Sequence, residues 1–114
     1  MHFALIHKLA GFTYYGDIPE IPKLPDDRFE LFPLSFEDRE LLMPFIVDIN
    51  NMCDTTLDFG DVDFFDKEKC ILLESYIKNL NEDSFNQRLL YIFSVLKDFA
   101  QKAQVLGTGI VLEL

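Results

Sequence analysis

The spacing of apolar residues changes several times along this chain, and each change marks an element. Phe85, Leu89, Ile92, Leu96, Phe99, Ala103 and Leu106 recur at alternating steps of four and three. Phe93 and Ala100 widen that stripe beyond a coiled-coil seam, which predicts a long helix facing a globular core. Ser84 and Gln87 stand three apart, as in a capping box, and Gly107 suits a left-handed C-cap. A second stripe, Cys70, Leu73, Ile77 and Leu80 with Tyr76 beside it, predicts a helix opened by Asp66 as N-cap. A third runs through Leu42, Phe45, Ile46, Ile49 and Cys53, after a Ser35–Asp38 capping box, with Glu37 and Glu40 at the positive end. Pro44 interrupts it, predicting either a kink or a new helix with Pro44 in its first turn.

The chain ends carry other periods. The apolar run Gly109–Leu114 predicts a short strand buried on both faces and paired with an N-terminal strand. Residues 2–9 fit a strand and a helical face equally well. Gly11 and Gly16 bracket the strand formers Phe12-Thr13-Tyr14-Tyr15, and together these predict two short strands joined near Ala10-Gly11. Residues 17–34 contain Pro19, Pro22, Pro25 and Pro33, which predict an extended connection. Its apolar residues Ile18, Ile21, Leu24, Phe29, Leu31 and Phe32 suggest that it lies against the helices, with a short strand near Phe29–Phe32. The expected fold is helix-rich α+β, three to four helices packed on a small sheet formed from the N-terminal and C-terminal strands.

Length and composition narrow this to a single domain, 1–114, that buries roughly two thirds of its unfolded surface without needing disulfides or metal. Cys53 and Cys70 have neither CxxC spacing nor a disulfide framework around them, so a reduced, cytoplasmic setting is expected. The N-terminus lacks the basic region and unbroken apolar run of a signal peptide, and no apolar run approaches the ~20 residues of a membrane span.

Charge changes the picture more. Of a net −10, residues 35–83 hold 4 basic and 13 acidic side chains, whereas residues 84–114 are net +1. A field of this kind repels nucleic acid and anionic membrane and attracts a basic partner. At its centre is Leu57-Asp58-Phe59-Gly60-Asp61-Val62-Asp63-Phe64-Phe65-Asp66, four carboxylates and three aromatic rings in ten residues.

Catalysis and metal binding fare poorly against this sequence. A calcium loop needs oxygen ligands at its first, third and fifth positions, glycine at the sixth and Glu at the twelfth. Registers starting at Asp58, Asp61 or Asp63 each put a glycine, phenylalanine or lysine where a ligand is required, so no metal is expected. His2, His7, Cys53 and Cys70 form no pair at zinc-ligand spacing. The cysteines fall on predicted buried positions, the serines mainly at caps, and Gly107-Thr108-Gly109 lacks the length and following helix of a phosphate loop. No enzyme activity and no cofactor are expected. Recognition is the remaining reading: Asp58, Asp61, Asp63 and Asp66 form an exposed row within a Debye length of ~8–10 Å. Phe59, Phe64 and Phe65 supply apolar anchors, at least one of them buried.

Phe59 to Ile77, and the ending from Leu96-Lys97-Asp98-Phe99 through Gly107-Thr108-Gly109 to Leu114, resemble small bacterial immunity proteins of contact-dependent growth inhibition and related polymorphic-toxin systems. The resemblance covers about half the chain and lies in general character: size, acidity, an aromatic-acidic run, a long helix and a Gly-Thr-Gly strand. It implies a cytoplasmic protein that binds and neutralises a cognate toxin domain, often a basic nuclease. An acidic surface suits that task because it can steer toward a nuclease's basic groove and occupy its phosphate positions. The partner-binding residues expected are Asp54, Asp58, Asp61, Asp63, Asp66 and Glu68, with Phe59 and Phe64 as anchors. The alternative is a DNA-mimicking acidic inhibitor of a nucleic-acid-binding protein, which the positive balance of residues 84–114 disfavours.

Overall fold

A computed structural model describes residues 1–114. In chain order its elements are β1 (His2–Ile6), β2 (Tyr14–Tyr15), β3 (Ile18–Pro19), β4 (Phe29–Pro33), α1 (Phe36–Leu42), α2 (Ile46–Cys53), β5 (Val62–Asp66), α3 (Lys67–Lys78), α4 (Gln87–Leu106) and β6 (Gly109–Glu113). The expected α+β fold is present. The two chain ends lie side by side, with Phe3 opposite Leu112 and Leu5 opposite Ile110. β4 and β5 flank them, giving an antiparallel sheet of order β4-β1-β6-β5. β1 and β6 are apolar at successive positions because both faces of this central pair are covered.

One face packs on the helices. Phe3, Leu5, Phe65, Ile110 and Leu112 join Leu42, Ile49, Leu73, Ile92 and Leu96 in the main core. The other face, Ala4, Ile6, Phe29 and Val111, is covered by Leu9, Phe12, Ile18 and Ile21. Ile18 and Ile21 of the proline-rich connection therefore lie on the sheet face away from the helices, correcting the expectation that the whole connection lies against them. Phe32 and Leu34 at its end do pack on the helix side. With the helices filling one face, the even-numbered side chains of β1 need this second cover to leave water. Arg28 anchors it, donating from Nη1 to the Gly11 carbonyl at 2.9 Å and pairing with Asp26 at 2.7 Å. The two short strands expected on either side of Ala10-Gly11 are present as β1 and β2, and β2 pairs with β3 in a small hairpin.

The helix starts follow local chemistry. Ser35 and Asp38 form the reciprocal capping box, and Asp38 is buried because it also receives Arg88. That guanidinium donates from Nε and Nη2 to the two carboxylate oxygens, both at 2.8 Å, tying α1 to α4. Pro44 sits in a 3₁₀ turn, Met43–Phe45, so α1 and α2 form one bent arm. At α4 the cap is Asn86, whose side chain accepts from the Leu89 amide at 2.8 Å, and not Ser84. The reason lies one residue earlier: a turn bonds the Phe85 amide to the Glu82 carbonyl, and the Phe85 ring meets Phe45 and Phe93 with centroids 5.3 and 5.8 Å away. Gly107 ends α4 at φ 69°, as expected, whereas Leu106 leaves the predicted stripe and is exposed. Cys53 and Cys70 are free and buried, and burial pushes their thiols up to about 11 and about 12. No helix is long and apolar enough to cross a membrane.

Candidate functional site: the acidic segment from Asp54 to Glu68

The segment between α2 and α3 is fixed by its own polar groups. Asp54 ends α2 with left-handed backbone, φ 54° and ψ 54°. Asn50 then holds the loop: its Oδ1 accepts from the Thr55 hydroxyl at 2.7 Å and the Leu57 amide at 2.8 Å, while its Nδ2 donates to the Leu57 carbonyl at 2.8 Å. A turn follows, with the Asp61 amide donating to the Asp58 carbonyl at 3.3 Å and Gly60 at φ 78° in the position that needs a positive φ. Phe59 packs half-buried against the main core, and the Arg39 guanidinium lies 5.2 Å from its ring centroid.

Val62–Asp66 forms an edge strand, and this corrects the picture of one exposed row of aspartates. Strand side chains alternate between faces. Phe65 enters the main core, fully buried, and Asp63 lies on its side of the sheet. Val62 and Phe64 pack half-buried on the opposite cluster. Asp54, Asp58, Asp61, Asp66 and Glu68 are exposed, and Asp63 is half-buried. Asp66 is the N-cap of α3, as expected, accepting from the Lys69 amide at 3.0 Å.

Each remaining aspartate of the strand and its turn also binds backbone. The Leu114 amide donates to the Asp61 carbonyl, which fixes the pairing so that the amides of Val62 and Phe64 point away from β6. Asp61 Oδ1 accepts from the Val62 amide and Asp63 Oδ1 from the Phe64 amide, both at 2.8 Å. Asp58 does the same for the Phe59 amide at 2.8 Å, and Asp63 Oδ2 takes the Thr56 amide at 3.3 Å. The outward donors of β5 are thereby covered by negative charge, which blunts an edge otherwise open to another strand.

The six carboxylates Asp54, Asp58, Asp61, Asp63, Asp66 and Glu68 take part in no ion pair. The seven close contacts between basic nitrogens and acidic oxygens, two of them through histidine, involve Glu113, Glu30, Asp26, Glu74, Asp38 and Asp98 instead. The β2–β3 hairpin adds a carboxylate that sequence reasoning missed. Asp17, Ile18, Asp63, Phe64, Asp66 and Lys69 line an open cleft of about 360 Å³ beside the strand edge. Asp17 carries no local signal of this, because only the tertiary fold brings its hairpin to β5.

No three His, Cys, Asp or Glu side chains are placed to share a metal ion. The histidines serve the two ends of β1: His2 Nδ1 lies 3.2 Å from Glu113 and His7 Nε2 lies 3.5 Å from Glu30. Burial lowers the His2 pKa against the opposing pull of Glu113. Comparison with protein-family models, curated proteins and solved structures gives no match.

Proposed function

We propose that this chain is an immunity-type inhibitor that acts in the bacterial cytoplasm. It binds a cognate toxin domain, a basic nuclease, through Asp54, Asp58, Asp61, Asp63, Asp66 and Glu68, with Phe59 and Phe64 as anchors. The observation that carries this reading is concentration: of the fourteen acidic side chains outside any salt bridge, six fall between Asp54 and Glu68. Repulsion among them costs stability that a basic partner offsets. Asp54 sharpens the point. It stands at the negative end of α2 in a left-handed conformation, where both the helix dipole and backbone sterics favour glycine over a carboxylate.

Rigidity supports the same reading. The carboxylates of Asp58, Asp61, Asp63 and Asp66 are held by backbone amides, so a partner's cations meet oxygens whose ordering entropy is already spent in folding. The half-buried rings of Phe59 and Phe64 offer apolar edges between them.

Asparagine separates charge from most of the structure here, because its carbonyl oxygen retains the 2.8 Å amide bond at each position and only the 3.3 Å bond from the Thr56 amide to Asp63 is lost. The Asp58→Asn, Asp61→Asn, Asp63→Asn triple variant is expected to fold normally. Calorimetric titration against the toxin domain encoded beside it should show at least about tenfold weaker binding. Unchanged affinity and unchanged protection of cells would show the surface to be wrongly assigned. Competition by unrelated duplex DNA for the partner's site would favour the DNA-mimicking alternative.

A further inference from the structure

One polar side chain in the protein is buried without a partner, and it lies outside the acidic segment. Tyr76 is 9% exposed, and its hydroxyl is the sole buried side-chain nitrogen or oxygen with no hydrogen bond. Buried hydroxyls are ordinarily paired, so each exception calls for an explanation. Tyr76 lines an open cleft of about 370 Å³ between α2 and the end of α3, together with Asp48, Asn51, Met52, Asn79 and Leu80.

The lining sorts by chemistry. Asp48 is exposed and belongs to none of the protein's ion pairs. Tyr76 and Asp48 line the same cleft, and burial, followed by the Asp48 charge, raises the Tyr76 pKa. Asn79 Nδ2 donates to the Ser75 carbonyl at 2.9 Å, leaving its Oδ1 free to accept. The C-terminal end of α3 adds partial negative charge, and the nearest lysine, Lys78, is engaged 3.4 Å from Glu74. Met52 and Leu80 supply apolar wall. The Asp48 carboxylate and the negative helix C-terminus favour a cation over an anion. A purely apolar occupant would leave the hydroxyl unpaired.

We infer that this cleft is a subsite for one lysine or arginine side chain of the basic partner. The cation's N–H groups reach Asp48 and the Tyr76 oxygen, and its methylenes lie along Met52 and Leu80. Tyr76 then donates to Asp48 and accepts from the cation, using both capacities of a hydroxyl. The hydroxyl is covered in the free protein, and the exposed lining side chains, Asp48, Asn51, Met52 and Asn79, have to turn aside for the cation to reach it. This inference rests on the proposed basic partner and extends its footprint. The cleft adjoins the acidic segment at one end, Met52 standing two residues before Asp54, and its Asn79 end lies about one α3 length, roughly 18 Å, from Asp66. A standard interface of ~800 Å² per side is roughly 30 Å across, wide enough to include both.

The test uses the full chain, isotope-labelled, titrated with n-butylammonium and ethylguanidinium chlorides while amide and methyl resonances are followed. Sodium chloride and n-butanol serve as controls. Both organic cations should shift the Asn51 and Asn79 side-chain amides and the Met52 and Leu80 methyls saturably, and n-butanol should not. Asp48→Asn and Tyr76→Phe should each weaken that response several-fold, and Tyr76→Phe should melt at the wild-type temperature or above. Absence of saturable shifts, or equal shifts with n-butanol, overturns the subsite. A second arm measures toxin affinity. Loss on Asp48→Asn supports occupancy by the partner, whatever the Asp58, Asp61, Asp63 triple variant does. Loss in the triple variant alone overturns it, and reassigns the cleft to a free small cation while leaving the acidic surface intact. Loss on Asp48→Asn alone keeps the subsite and rejects the acidic surface.

Discussion

Asp38 shows how much one side chain can carry. It closes the capping box of α1, accepts two bonds from Arg88 and is 3% exposed. Hydrogen bonding from the Arg88 guanidinium holds its pKa down to about 2, from an ordinary 3.8. The carboxylate is therefore a stronger acid folded than unfolded, and its contribution is fully present above about pH 4 and lost as pH falls toward 2. Acid unfolding followed by circular dichroism should show a steep loss of stability across that window, and Asp38→Asn should flatten it. Arg88→Met strands a buried carboxylate and is expected to cost about 2–3 kcal/mol in chemical denaturation, the Arg88 side being partly exposed. Half of this arrangement was legible in the sequence. Ser35 and Asp38 announce a capping box by spacing alone, whereas Arg88 lies fifty positions away and nothing local couples the two. The cysteines were legible too, because their place on apolar stripes implied burial. Their raised pKa values predict that thiol reagents at pH 8 modify neither until the protein is unfolded.

Among the elements, β5 holds the most instructive mismatch. Asp61, Val62, Asp63 and Phe64 alternate strictly between polar and apolar, which is the pattern of a half-buried strand. Reading those aspartates as a charge cluster hid that pattern, and with it the edge. The structure gives the same carboxylates a second task, covering the outward amides of Val62 and Phe64. Replacing Asp61 and Asp63 by alanine removes both covers and should promote self-association through the bared edge, seen as dimers or larger species by sedimentation velocity. The asparagine pair keeps an acceptor at each amide and should stay monomeric, so a monomeric alanine pair would sink the edge argument. On the other side of this strand pair, a Cβ at Gly109 would stand 2.3 Å from the Phe65 carbonyl oxygen and 2.6 Å from the Phe64 ring. Gly109→Ala therefore has to push β5 off β6, at a cost of about 2–3 kcal/mol. The proline-rich connection failed differently. Its extended, apolar character was readable, but the face it covers depends on strand pairings made far along the chain.

For the whole molecule, the decisive quantity is where charge lies. Residues 84–114 are net +1, and their long helix packs its apolar face on the sheet. The excess negative charge falls on the bent arm and the acidic segment, whereas α3 itself holds three lysines against two glutamates. Such a distribution acts as a directed field, so association with the proposed partner should slow as salt rises, while dissociation changes less. Stopped-flow measurements between low and physiological ionic strength would test this, and a salt-independent association rate would remove electrostatic steering from the account.

The position of β6 has a consequence for how the protein comes into being. The strand formed by residues 109–113 is not an edge added at the end but the bridge between β1 and β5. Until those residues leave the ribosome, β1 and β4 can pair with each other, but β5 has no neighbour and both core clusters lack their shared wall. The helices can form early. The sheet has to wait, because closing β1 onto β6 joins residues about a hundred positions apart and carries the loop entropy of nearly the whole chain. A nascent chain stalled short of Gly109 should therefore be protease-sensitive, and release of a few more residues should make it resistant in a single step.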